Sequence, residues 1–244
     1  MFEMIVNSVV SGTFVGGFYA AMAIGLSIAF GMLNITFVAH PAFILLGAYL
    51  VYLLNTILGI DPLLAGVLLV PVFFLLGMGL YTAYYNIFEK RGSESLRGLV
   101  FFFGIIMLIE IVLTLIFGVD YRMVRSSWST RTFEIGFVGI SLRLLVPCVI
   151  SIFLIAGLHL FFSRTYLGMM SRGVAQDSLA VRLMGANPVL VKRVSFSIAL
   201  STAAIAGALF IVIMPVEPSL GTAFISRVFP IVVLAGLGSI KGTI

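Results

Sequence analysis

Charge is what this sequence has least of. Only 9% of its 244 residues are Asp, Glu, Lys or Arg, against 61% hydrophobic residues and a mean hydropathy of +1.24. That composition excludes an ordinary soluble domain and describes a chain immersed in lipid. Cysteine is nearly absent: Cys148 stands alone after Pro147 in an apolar run, which rules out a disulfide framework or a cysteine-built metal cluster. The two histidines, His40 and His159, are too few for a metal site, and neither metal nor cofactor is expected. No G-x-x-x-x-G-K-[ST] loop occurs, so the chain holds no P-loop for ATP. Paired carboxylates, a histidine cluster and a Ser-His-Asp set at helical spacing are lacking as well, so no catalytic residue is named and a membrane-embedded enzyme is disfavoured. The opening MFEMIVN carries Glu3 and no basic stretch, so no cleavable signal is expected and the first helix serves as its own insertion signal.

What is present is apolar length. Runs long enough to cross a bilayer cover about 5–30, 41–59, 63–88, 98–118, 142–162 and 194–214, with a partial run from 228. The expected fold is all-α: a polytopic transmembrane helical bundle of six full spans and an incomplete seventh, one membrane-embedded domain over 1–244 with broken or re-entrant segments. The net charge of +5 is scattered through loops and helix ends, which favours an anionic lipid surface over nucleic acid as its partner. The first run is rich in small residues from Ser11 to Gly25, which let helices approach closely in lipid.

Polar interruptions locate candidate sites. Between the first two runs, Asn34, Thr36 and His40-Pro41 break the apolar pattern as a broken helix or re-entrant turn would. Tyr81, Tyr84 and Tyr85 before Lys90 and Arg91 form an aromatic belt followed by positive charge, marking a cytoplasmic end. Glu110 lies deep in the fourth run, where a central carboxylate costs about 2.5 to 3.5 kcal/mol unless paired or protonated. It is a candidate titrating group or an interhelical hydrogen-bond donor. The polar stretch after it carries Arg122, Arg125, Arg131, Arg143 and the single Trp128. Its arginines are expected to be solvated, to pair with Asp120 and Glu134, or to meet acidic residues of a docking protein. Pro215 and Pro218 end the sixth run.

The longest stretch unable to sit in lipid is 171–194, SRGVAQDSLAVRLMGANPVLVKRV. Its periodicity predicts one short amphipathic helix from about Gly173 to Met184, with Ala175, Leu179 and Leu183 on one face. Gly185 stops it and Pro188 delays the next helix.

These residues carry a resemblance. AQDSLAVRLMGAN resembles the A-x-D-x-x-x-A-x-x-x-G-x-N coupling loop of bacterial ABC importer permeases of the branched-chain amino acid (LivH/LivM-like) type, through Ala175, Asp177, Ala180, Gly185 and Asn187. His40, Gly47, Ala48 and Tyr49 match that family's N-F-A-H-G-x-x-x-x-x-G-A-Y signature, with Phe37 standing in place of its Asn and Pro41 in place of its Gly. Pro218 and Gly221 match a P-x-x-G turn. Gly236, Gly238, Ser239 and Gly242 match a late glycine turn, with Lys241 where Pro is common.

The resemblance implies a permease subunit of the bacterial inner membrane, with 171–193 as the cytoplasmic coupling loop. Its implied partners are a homologous second permease, two ABC ATPase subunits, a periplasmic solute-binding protein and membrane lipid. The implied cargo is a branched-chain amino acid or a related small polar solute. Pathway candidates are His40, Gly47, Glu110, Pro218 and Gly221. Family members usually continue with further helices, so the chain reads as shortened at its C-terminus. The rival expectation is a proton-coupled secondary carrier that titrates Glu110.

Overall fold

Prolines and polar caps decide where the apolar runs become helices. The computed structural model describes residues 2–33, 35–91, 95–126, 128–135 and 138–235. Helix α1 covers Phe2–Leu33; α2, His40–Leu58, starts with Pro41 in its first turn; α3, Pro62–Ile87, is capped by Asp61. A 3-10 turn, Glu89–Arg91, precedes α4 (Ser95–Phe117). A hairpin of β1 (Thr132–Ile135) and β2 (Val138–Ser141) leads into α5 (Leu142–Arg164). Two short helices, α6 (Tyr166–Gln176) and α7 (Ser178–Leu183), are followed by α8 (Pro188–Ile213) and α9 (Leu220–Ala235). Six of these helices are long and apolar enough to cross a membrane, as the hydropathy pattern predicts.

Two boundaries differ from expectation. The loop helix read as one piece from Gly173 to Met184 is two, broken at Asp177, whose extended backbone (φ −152°, ψ 104°) cannot continue a helix. The partial run from 228 is the second half of α9, which begins at Leu220; Gly221, Thr222, Ser226 and Arg227 lower the hydropathy of its first turns.

Helix α8 is the hub. Its most apolar window is 89% buried, whereas those of α3, α4 and α5 are 28%, 22% and 22% buried. The hub works because α8 is lined with Ser, Ala and Gly, so neighbours approach to backbone distance. On α3, a Cβ at Gly66 would lie 2.6 Å from Ala208 Cβ, and one at Gly77 would lie 2.7 Å from Ser197 Cα. Both pairs are eleven residues apart, about three helical turns, so a single antiparallel register aligns them. Helix α2 crosses the same hub at Gly47 and Gly207, where a Cβ on Gly207 would lie 2.5 Å from the Ile44 carbonyl oxygen.

The break expected between the first two runs is a tight buried turn. Phe37 N–H donates to Ile35 O at 2.8 Å and Val38 N–H to Thr36 O at 2.9 Å. The Phe37 ring packs on Phe102 and Phe196, both inside membrane-spanning helices. Irregular backbone at that depth is tolerated because protein surrounds it.

At the far end of α8, the polar segment forms a cap. Asp61 Oδ2 accepts from Ser126 Oγ at 2.6 Å and Trp128 Nε1 at 3.0 Å, while its Oδ1 caps α3 through Leu63 N–H. Arg143 donates to the last carbonyls of α8, Val212 at 2.8 Å and Ile213 at 2.5 Å. Arg122 bridges Val216 through the backbone and donates to Tyr52 Oη, with Asp120 only loosely paired at 3.6 Å. Arg122 and Arg143 thus hold the fold, while Arg125 and Arg131 are exposed. The Glu217 carboxylate near the Tyr121 hydroxyl holds that phenol above the ordinary tyrosine range.

Candidate functional site

The segment 165–193 is built by three consecutive N-caps. Thr165 accepts from Gly168 N–H and starts α6. Asp177 Oδ1 accepts from Leu179 and Ala180 N–H at 2.8 and 3.1 Å and starts α7. Asn187 Oδ1 accepts from Val189 and Leu190 N–H and starts α8. Two of the five loop residues singled out in the sequence are therefore caps, each satisfying helix donors that would otherwise be orphaned. Gly185 ends α7 at φ +82°, with Ala186 N–H donating to Val181 O and Gly185 N–H to Arg182 O, a left-handed cap that suits glycine. Ala180 is exposed and Ala175 half-buried.

Val174 and Val181 are buried beneath this unit, and Ser171 and Ser195 share a 2.6 Å hydrogen bond that ties α6 to α8. Leu179, Leu183 and Met184 instead point out, 64%, 81% and 65% exposed. The structure is a stiff peg whose apolar tip faces away from the bundle. Beside it, a cleft of about 930 Å³ is lined by Tyr85, Glu89, Lys90, Arg182 and Lys192 among others.

Of the five pathway candidates, Glu110 and Gly221 come together, while His40, Gly47 and Pro218 lie at positions of their own. His40 is fully buried against Gly25 and Thr202. Its approach to the Met22 carbonyl falls short of hydrogen-bond geometry, leaving both ring nitrogens without a partner among the described residues. Gly47 lies in the α2–α8 crossing, against Ala203 O. Glu110 and Gly221 meet: Glu110 Oε1 accepts from both the N–H and the hydroxyl of Thr222, at 2.7 and 2.5 Å, and a Cβ on Gly221 would lie 3.0 Å from the same oxygen. Glu110 thereby supplies α9 with an acceptor at the helix end that favours negative charge. Pro218 is buried in the turn before α9. The glycine turn of Gly236, Gly238, Ser239 and Gly242 lies outside the described residues.

Sequence reasoning missed one close pair, Glu89 and Lys192, 2.6 Å apart between the end of α3 and the start of α8. Lys192 stands out in the sequence only as one charge of the 171–194 stretch, and Glu89 carries no signal of its own. A separation of 103 residues leaves no local signature.

The family described as "Branched-chain amino acid transport system / permease component" matches residues 8–244. The chain is 26% identical to the high-affinity branched-chain amino acid transport system permease protein BraD of Pseudomonas aeruginosa, over 97% of this chain and 80% of that protein. It is 25% identical to LivH of Escherichia coli K12, over 95% of this chain and 79% of LivH. It is 24% identical to a probable LivH of Methanocaldococcus jannaschii, over 91% and 71%. No solved structure matches.

Proposed function

Because this chain belongs to the family of branched-chain amino acid transport permease components, we propose that it works as one permease subunit of an ABC importer, driven by ATPase subunits outside the chain. In this reading a homologous second permease completes the pathway, a periplasmic binding protein delivers the solute, and the assembly sits in the bacterial inner membrane. The solute is a branched-chain amino acid or a close small polar relative. The relatives lend no support to the rival proton-coupled carrier.

The observation that carries the reading is the peg. A six-residue helix with buried valines beneath it and Leu179, Leu183 and Met184 projecting from its tip is anchored on one side and unfilled on the other. Burying each of those side chains in a partner's groove contributes about 1.5–3 kcal/mol toward docking an ATPase subunit. When the ATPases close, the peg moves. The caps at Asp177 and Asn187 and the Ser171–Ser195 bond pass that movement to α8, against which α1, α2 and α3 all pack.

We place the solute path along the seam where Glu110, Gly221 and Thr222 meet, with Pro218 setting the turn. His40 and Gly47, both on α2, complete the proposed set, and Gly47 sets how closely α2 approaches the hub.

Leu183→Asp tests the coupling role with little risk to the fold, since Leu183 is 81% exposed. Tagged wild-type chain, extracted gently, should bring an ATPase subunit with it, and the variant should lose that partner and ATP-driven uptake together. Equal recovery of the ATPase with both chains would refute the docking role.

A further inference from the structure

Just past the peg, the first turns of α8 meet the end of α3 at a charged contact that packing of the helices does not require. Along α3 and α8 the antiparallel contact runs from Gly66 against Ala208, through Gly77 against Ser197, to Tyr81 tilted against Phe196 with centroids 5.9 Å apart. Beyond Tyr81 the helices part, and the cleft opens between α3 and the peg. Across that opening Glu89 reaches in both directions. Its Oε1 accepts from Lys192 Nζ of α8 at 2.6 Å, and its Oε2 accepts from the hydroxyl of Tyr81 at 2.8 Å. Tyr81 is fully buried, and the side chains of Lys192 and Glu89 are only 15% and 12% exposed.

Exposed ion pairs contribute little, but a shielded pair with a second hydrogen bond fixes geometry, and removing one member strands the other. Its position is telling. Lys192 lies five residues past Asn187, where the peg becomes α8, and Glu89 lies just past the last turn of α3. A load applied at the α7 tip could bend the 184–187 elbow, or it could carry α8 and α3 together. The contact that selects the second outcome is the one bridging them at the elbow.

Resting on the transport reading above, we infer that Glu89 and Lys192, with Tyr81 as brace, form a latch that couples the start of α8, which continues the peg, to the end of α3. Movement of the ATPases is thereby transmitted to the membrane helices and not absorbed in the loop. These are positioning residues. They touch neither ATP nor solute, and their loss uncouples hydrolysis from uptake.

The test uses the complete importer in lipid vesicles, measuring uptake of radiolabelled leucine together with ATP hydrolysis for wild type, Glu89→Gln, Lys192→Gln, Tyr81→Phe and the swap Glu89→Lys with Lys192→Glu. Each single charge variant should keep its ATPase partner while uptake per ATP falls by at least about fivefold, the lower end of typical coupling between sites. Tyr81→Phe should fall in the same direction by less. The swap should restore uptake per ATP to within about twofold of wild type, as a direct pair interaction requires. Unchanged uptake per ATP in the single variants would overturn the latch. So would loss of the ATPase partner in the singles and the swap alike, which would make the pair a support for folding. Failure of the transport reading is visible separately, because wild-type vesicles would then show no ATP-driven uptake of leucine, and the inference would fall with it.

Discussion

Gly207→Ala is the sharpest probe of the hub. A Cβ there would lie 2.5 Å from Ile44 O, 2.6 Å from Ala48 N and 2.8 Å from Gly47 C. All three are backbone atoms, so no side chain can rotate away, and α2 must retreat by about 1 Å to restore ordinary contact. Overpacking of this kind costs about 1–3 kcal/mol. Alanine also gains about 1 kcal/mol of helix propensity over glycine, so the comparison needs a matched control. Gly79→Ala supplies it: Gly79 is helical and has nothing within 4 Å of a built Cβ. Thermal unfolding in detergent, followed by circular dichroism, should place Gly207→Ala about 2–12 °C below Gly79→Ala, at about 2–4 °C per kcal/mol for a chain of this size. Coincident melting curves would refute the claim that glycine at 207 exists to bring α2 against α8.

Asp61→Ala removes a helix cap worth about 0.5–2 kcal/mol and strands two side-chain donors at about 1–3 kcal/mol each. Trp128 is the only tryptophan, so its emission should shift to the red and quench more readily, and an unchanged spectrum would show that Asp61 does not hold the cap segment. Tyr121 should ionise above the ordinary tyrosine value because the nearby Glu217 carboxylate favours the neutral phenol over the phenolate. A phenol whose pKa is raised by folding contributes stability below its unfolded pKa and loses it as pH rises through the folded value. Glu217→Ala should therefore move the Tyr121 titration down, read as phenolate absorbance against a Tyr121→Phe blank, and no movement would deny the contact.

The long spans were legible because each is a continuous apolar run bounded by Pro, Gly or charge, and hydropathy needs nothing more. The site was legible only where chemistry is local. Asp177, Gly185 and Asn187 are capping residues whose partners lie two or three positions away in the chain, so the pattern at the loop carried their importance. Even there the periodicity misled, since Ala175 and Leu179 share helical spacing across Asp177, and that spacing cannot reveal that Asp177 is extended. Glu110 was visible as an anomaly, but its partner Thr222 lies 112 residues on. The arginines of the polar segment look alike in sequence. Arg143 differs from Arg125 only because the end of α8 happens to lie beneath it.

That last contact bears on how the two ends of the molecule communicate. Helix α8 begins at the peg, where Asn187 caps it, and finishes under Arg143, which takes up its final carbonyls from the start of α5. Between these ends it is buried in contact with α1, and with α2 and α3 at backbone distance, with little free volume to absorb a shift. Closely packed interfaces yield by moving as bodies more readily than by deforming. A displacement imposed at Lys192 therefore reaches Val212 largely undiminished and is handed to α5 and to the cap that Asp61 pins over α3. A permease must open one end while closing the other, and a rigid central helix fastened at both ends is the simplest device that makes each movement depend on the other.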